Sequence, residues 1–587
     1  MKASLLTSHS TFHGRAQGRL FDEHRVRRVR SLDGFWSLHR PAEGTQIDPE
    51  AWASGVSADY LVPSVWQSLP GWETYRGQAV ARCLLAKDTS GPARLVFRGA
   101  SHTARVFLDG QEIGRHHNAY TPFALDIPHL EAGSHELLVH LSNEHGDLSA
   151  LHVSNDYYNY GGLTRPVEFQ ELQAPLYIRR VHATPSRDAT GRWQLKLNAR
   201  LENLGAAQNA SLRISVAGLC HECPAQAFSS GSSFLEATIP VPHAEAWSPA
   251  SPRLYELTAT LVIDGAAVDD WSDRIGFRTV DVEGDRLLLN GAPLFLAGFN
   301  RHEDHGAFGC ALPLEAMQQD ILLMKDLHAN AVRTSHYPND ERFLDLCDRA
   351  GLMVWEENHA RGLSLEQMQH PLFHSQCRDC IAEMIEWHYN HPSILLWGIL
   401  NECASGTPEG RELYAGQFAQ IKSLDSSRPT TFASCADGKD LCQDLPDICS
   451  WNIYPNWYGN RTATEEVERF LTYSHTHGGA GKPFIFSEFG AGAIPGYIDL
   501  RRNVKFSENR QAEILRECLE AILAHPKVCG AFIWQFCDVR VDEGWAIQRP
   551  RCINDKGIVD EFRVPKLAYP VVQACFRNRP RGCNCVW

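Results

Sequence analysis

Eight short apolar runs in the second half of the chain, with helical patterns between them, restrict its fold more than any other feature. They occupy residues 294–299, 331–335, 352–355, 393–400, 430–434, 448–452, 483–487 and 530–534. Between several of them apolar residues recur at helical spacing, as with Met317, Ile321 and Met324, or Leu515, Cys518 and Ile522. Eight strand–helix units in about 300 residues predict a (β/α)8 TIM barrel over 281–587. The 587 residues are too many for one hydrophobic core, and the upstream texture differs. Residues 93–97, 103–108 (closed by Asp109-Gly110) and 136–141 read as short strands broken by turns, predicting a β-sandwich over 1–175. Residues 193–201 alternate with period two, and 211–216 and 254–263 are further strand candidates. They predict a smaller, immunoglobulin-like sandwich over 176–280. The expected fold class is therefore multidomain, with two β-sandwiches and a TIM barrel.

Charge excludes several partners. The net charge is −14 with no long Lys/Arg block, so neither nucleic acid nor an anionic membrane is expected as partner. The short basic run Arg25-Val-Arg-Arg-Val-Arg30 reads as solvated surface. Charges begin at Lys2 and Arg15, and no apolar h-region or uncharged apolar window of membrane-spanning length is visible. A cytoplasmic protein is expected, with its 18 cysteines reduced and acting as small hydrophobes. The close pairs Cys220/Cys223, Cys377/Cys380 and Cys583/Cys585 lack a second pair at zinc-ribbon spacing. The run His302-Glu-Asp-His305 is also a poor metal site, because adjacent side chains on an extended segment point apart. Sugar contacts or rim hydrogen bonds suit His302 better. No metal and no cofactor are expected.

A TIM barrel carries its chemistry at the C-terminal ends of its strands. The fourth run leads into Asn401-Glu402, and the seventh into Glu488. A carboxylate ending a buried strand is costly unless it lies in a polar cleft. Two such groups facing each other across the mouth are what glycosidic bond cleavage needs, one as general acid/base and one as nucleophile. Strand position alone would equally allow rim salt bridges; the neighbours decide. Asn401 suits a donor to the sugar 2-hydroxyl. Arg333, ending the second run, suits a partner that keeps Glu488 ionised, while Glu402 is expected to hold its proton at neutral pH.

At these residues the chain resembles glycoside hydrolase family 2, which includes β-glucuronidases, β-galactosidases and β-mannosidases. The similarity runs over nearly the whole length. It is carried by Val106-Phe-Leu-Asp-Gly110, Tyr120-Thr-Pro-Phe123 and Asn159-Tyr-Gly-Gly-Leu-Thr-Arg-Pro-Val167 in the first domain. In the barrel it rests on Gly298-Phe-Asn-Arg-His-Glu-Asp304, Asn330-Ala-Val-Arg-Thr-Ser-His-Tyr-Pro338, Trp397-Gly-Ile-Leu-Asn-Glu402 and Phe486-Ser-Glu-Phe-Gly490. The resemblance implies a jelly-roll sandwich, an immunoglobulin-like domain and a catalytic barrel in that order. It also implies a retaining mechanism with a covalent intermediate on Glu488, and a homo-oligomer.

The resemblance extends to substrate. Asn554 and Lys556 look like the Asn-x-Lys pair with which β-glucuronidases hold the sugar carboxylate, and an ammonium beside an amide can meet both oxygens. Asn-Asp-Lys-Gly is also an ordinary polar turn, but its place after the eighth strand favours the functional reading. The family places an arginine nearby, for which Arg549 and Arg551 compete. Trp451-Asn-Ile-Tyr-Pro-Asn-Trp-Tyr458 resembles the family's aromatic loop, which implies that Tyr454 orients the nucleophile. Trp457 and Tyr458 face the sugar or pack the loop. Asp156 looks like the first-domain acid that reaches a sugar hydroxyl, and Trp534 is placed to floor the site. The stretch 358–365 is short for the long active-site loop of some members. The expected substrate is a small β-glucuronide, with a β-galacturonide the nearest rival. A neutral-sugar glycosidase such as a β-galactosidase, or a non-catalytic carbohydrate-binding protein, would lack any need for these groups together.

Overall fold

The structure, a computed structural model, describes residues 18–41 and 55–579. Lys2, Arg15 and the Cys583/Cys585 pair lie outside them. Eight parallel strands close into a barrel in sequence order. They are β1 Leu296–Asn300, β2 Ala331–Thr334, β3 Met353–Glu357, β4 Ile394–Ile399, β5 Thr430–Ser434, β6 Ile448–Asn452, β7 Phe484–Phe489 and β8 Val528–Ile533. Every run of the sequence contributes one. Most ends differ from the runs by one or two residues, and two of them bear on the site. β4 stops at Ile399 because Leu400 (φ 41°) and Glu402 (φ 52°) enter the left-handed region. β7 continues through Phe489, so Glu488 belongs to the strand itself.

The barrel interior is layered. Its lower part is apolar, filled by Leu296, Met353, Trp355, Leu396, Ile485 and Phe532, as a barrel of eight strands requires. The Arg333 guanidinium lies 4.6 Å from the Trp355 ring centre and begins the polar layer above it. Above Trp355 the polar side chains form one connected layer at the C-terminal mouth.

Upstream, a six-stranded and a four-stranded antiparallel sheet enclose a core that includes Trp36, Trp66, Leu95 and Val139. A second sandwich follows, with sheets of three and four strands around Trp193, Leu197, Ile214 and Trp271. Its strands Trp193–Asn203, Gln208–Val216 and Tyr255–Ile263 contain the alternating runs of the sequence.

The basic run departs from its expected role as solvated surface. Arg25 and Arg28 are exposed, but Arg27 is buried. Its guanidinium donates to Asp269 at 2.9 and 2.7 Å, to Gln170 at 2.9 Å and to the Ile178 carbonyl at 2.6 Å. The run therefore straps the two sandwiches together, its charge met by an acid about 240 residues further along the chain.

The first sandwich is also fastened to the barrel mouth. Arg165 donates to Glu303 at 2.7 Å, Tyr160 to Asp304 at 2.9 Å, and the Tyr157 hydroxyl lies 2.9 Å from His359 Nε2. Glu303 and Asp304 thus serve different partners, as divergent side chains on an extended segment should. These contacts lay residues 154–160 across the opening of the barrel. Among the described residues, no helix is long and apolar enough to cross a membrane.

Candidate active site

Arg333 organises the polar layer. From β2 its guanidinium donates twice to Glu357 of β3 (both 2.9 Å), to Asn300 of β1 (2.9 Å), to Asn401 beyond β4 (2.8 Å) and to Glu488 Oε1 of β7 (3.0 Å). The Tyr454 hydroxyl donates to the other oxygen of Glu488 at 2.7 Å. Both oxygens of Glu488 are therefore fixed by donors, and side chains from four other strand ends are tied to one cation. Burial, and then the Glu488 charge, raise Tyr454 well above the usual phenol range, so it remains a donor.

Glu402 enters from the next strand end. Its backbone N–H donates to the Ala433 carbonyl at 2.9 Å, holding the residue where its left-handed φ would otherwise be costly. Its carboxylate accepts from Asn452 Nδ2 at 2.9 Å. Asn452 also reaches Asn401 at 3.2 Å and is the register partner of Glu488. Asn401 accepts from Arg333 and Asn452 through Oδ1, and its buried Nδ2 has no partner. An amide donor without a partner among the described residues fits the expected contact with a sugar hydroxyl.

The electrostatics correct one expectation. Burial first, then the nearby Glu402 charge, push the Glu488 carboxyl up to about 8, against the pull of Arg333 and Tyr454. Glu488 was expected to stay ionised under Arg333. Desolvation and a like charge outweigh that one cation. Glu488 therefore holds its proton at neutral pH.

On the far side of the cleft, Lys556 is buried, with its ammonium 5.9 Å from the Tyr454 ring centre and 5.6 Å from that of Tyr458. It makes no hydrogen bond to a described residue. Asn554 donates to Asp156 at 3.2 Å, leaving its own buried carbonyl oxygen unpartnered. Asp156, on the first-domain segment, also meets Arg549 at 3.0 Å and Arg361 at 3.3 Å. Burial opposes the Asp156 charge, but Arg361, Lys556 and Arg549 together hold it well below the usual carboxylate range. The two arginines differ in setting: Arg549 turns inward to Asp156, while the half-exposed Arg551 pairs with Glu561 at 3.1 Å.

The aromatic expectations divide. Buried Trp534 stacks on His336 at 5.0 Å and meets the His302 ring edge-on at 5.4 Å. Both imidazoles are buried with Nε2 unpartnered, and burial with neighbouring charge lowers both well below the usual range, so they stay neutral. Tyr458 is 63% exposed and stands at the rim. Trp457 is loop packing, buried against Phe506 at 5.2 Å.

Three residues of this cleft were not singled out from sequence. Asn452 and Glu357 are strand-end residues like those identified, and the last positions of β6 and β3 could have marked them. Arg361 is less visible. It lies in the stretch 358–365, forms a parallel bridge to Asn401, and spans Asp156 and Glu402, the latter at 3.6 Å.

Two clusters among the described residues have the proximity of metal ligands, His102/His117/His152 and Asp345/Asp348/His391. Neither is in the cleft. Both His102 nitrogens are hydrogen-bonded, to Thr103 and to the Glu144 carbonyl, and Asp345 already receives the Arg19 guanidinium. These donor sets do not fit a metal.

Comparison with known proteins agrees with this geometry. Residues 280–578 match the model for "Glycosyl hydrolases family 2, TIM barrel domain" and residues 176–278 that for "Glycosyl hydrolases family 2". A family 2 β-galacturonidase from Eisenbergiella tayi, solved with galacturonate bound, is 45% identical, with a TM-score of 0.90 over 95% of this chain and 99% of that one. The β-glucuronidase of Bifidobacterium dentium, complexed with coumarin-3-O-glucuronide, is 25% identical, with a TM-score of 0.84 over 95% and 98%. The curated β-glucuronidase of Rattus norvegicus is 27% identical over 95% of this chain and 93% of its own. A barrel whose strand ends converge on two glutamates, with matches spanning both upstream and barrel regions, leaves one conclusion: the chain belongs to glycosyl hydrolase family 2 and is a glycoside hydrolase.

Proposed function

We propose that the protein is a retaining exo-β-uronidase, with β-galacturonides as preferred substrates and β-glucuronides as the second choice. The observation that carries the uronide reading is Lys556: a buried ammonium beside the nucleophile's tyrosine, with no hydrogen-bonded anion of its own. A sugar carboxylate supplies that anion, whereas a neutral hexose leaves the charge desolvated and unpaired. The Asn554/Lys556 pair serves either epimer. The order of preference rests on similarity, 45% to a β-galacturonidase against 25% and 27% to β-glucuronidases. Asp156, flanked by Arg361 and Arg549, is the group placed to read the remaining hydroxyls.

In this reading Glu488 attacks the anomeric carbon while Glu402 protonates the departing oxygen, and a glycosyl ester forms on Glu488. Water, with Glu402 now as base, then hydrolyses it. The fixed setting of both Glu488 oxygens suits a nucleophile. Because the attacking group must be ionised and burial raises the Glu488 carboxyl to about 8, substrate binding has to favour its ionised form. Asn401 Nδ2 would donate to the 2-hydroxyl. The domain limits 1–175, 176–280 and 281–587, a homo-oligomeric state and a cytoplasmic location belong to the same proposal.

The test is a panel of nitrophenyl β-glycosides. Galacturonide should be cleaved with the highest kcat/KM, then glucuronide, with galactoside far behind. A galactoside cleaved as well as either uronide would sink the proposal, and glucuronide ahead of galacturonide would reverse its order of preference.

A further inference from the structure

A second basic cavity lies at the opposite end of the barrel, where the small sandwich meets the beginnings of the strands. Its volume is about 260 Å³, and its lining includes Arg187, Arg278 and Arg428 against a single acid, Asp281. Arg428 is ion-paired with Asp425 at 2.6 Å. Arg278 is not so served. It is buried, and its guanidinium donates only to backbone carbonyls, those of Pro392 and of Ile394 (2.6 Å for the latter), with no carboxylate of the described residues at ion-pair distance. Burial, followed by the charge of Arg428, lowers Arg278 to about 9, which is the signature of a cation in want of a counter-charge. The hydroxyls of Thr279 and Ser426 line the same space and bond to no described residue.

A buried guanidinium is costly when no anion faces it, and an oxyanion is the ligand its fork of donors matches. The volume admits a phosphate or a small organic acid and is below the usual range for larger ligands. We propose that this cavity is a binding site for a small oxyanion of the phosphate or carboxylate class, separate from the catalytic cleft. Arg278 and Arg187 supply the charge, and the free hydroxyls supply the remaining donors. Occupation ties the small sandwich to the base of β4, the strand that ends beside Glu402, because Arg278 and Arg428 both hold the Ile394 carbonyl at 2.6 and 2.8 Å.

The test titrates inorganic phosphate into the full-length protein at constant ionic strength, by calorimetry and by melting temperature. Saturable binding is expected, weakened at least fivefold in Arg187→Ala and abolished in Arg278→Met. Arg187→Ala, at an exposed position, should cleave a nitrophenyl uronide at the wild-type rate. If Arg278→Met does not fold, Arg187→Ala alone carries the comparison. Lys556→Ala should still bind phosphate. In that background galacturonate displaces phosphate if carboxylates share the site, and leaves it bound if the site is selective for phosphate. Absence of saturable binding, equal affinity in Arg187→Ala, or loss of binding in Lys556→Ala would overturn the assignment.

Discussion

Replacing Glu488 with Gln should abolish turnover and yet stabilise the protein, by an amount that depends on pH. The folded cleft moves this carboxyl from its ordinary 4.5 to about 8. At 1.36 kcal/mol per tenfold change, that difference is worth about 5 kcal/mol once the group is fully ionised. A raised carboxyl contributes stability in its protonated form, which is complete below pH 4.5 and is lost as pH rises through about 8. At pH 7 the wild type has lost about 3 kcal/mol of it, whereas the amide has no proton to lose. The isosteric amide retains a hydrogen-bonding oxygen for Arg333, and Arg333 keeps its two bonds to Glu357. The melting temperature of Glu488→Gln should therefore rise relative to wild type by on the order of 5 °C between pH 4.5 and pH 7, with a further gain towards pH 9. Differential scanning calorimetry of both proteins across that range measures it. A difference that stays constant from pH 5 to 8 refutes the argument, because the strain would then not come from ionising Glu488.

Other outcomes follow from the same geometry. Lys556→Ala should lower kcat/KM for a nitrophenyl uronide by roughly 10²- to 10³-fold, the cost of stranding a buried charge partner, while leaving slow galactoside cleavage nearly unchanged; equal losses on both substrates would remove Lys556 from carboxylate recognition. Glu402→Ala should be inactive towards poor leaving groups, and added azide should restore turnover of an activated glycoside with a β-glycosyl azide as product. An α-azide would mean inversion at a single displacement. Tyr454→Phe deletes a donor to ionised Glu488, so the limb of the kcat/KM profile that reports the Glu488 ionisation, expected near pH 8, should move up by about one pH unit. An unmoved limb would show that the tyrosine does not act on that ionisation.

The barrel was legible because its strands are buried on both faces, so that apolar runs mark them whatever the helices do. The two glutamates were legible because each ends such a run beside residues, Asn401 and the family-like segments around them, that a rim salt bridge does not need. Their protonation was not, since it depends on how completely the folded cleft excludes water and on how near the two groups approach. The buried role of Arg27 was hidden for a related reason: its counter-charge at Asp269 belongs to another domain, and a local run of basic residues carries no sign of it. Arg361 looks in sequence like part of a shortened loop. Its function becomes visible only when the bridge to Asn401 sets it between Asp156 and Glu402. Arg549 and Arg551 could not be ranked because the turn deciding which one faces inward, with Arg551 at φ 61°, is a backbone property that two identical side chains do not reveal.

The segment that brings Asp156 over the opening originates in a domain with no strand in the barrel. The two glutamates and the acid that overlies them are therefore inherited on separate pieces of chain. Changes of substrate can be tried on the overlying piece, or on the turn that holds Lys556, without disturbing the hub around Arg333. A lineage with this layout can alter what it accepts while continuing to cleave it in the same way.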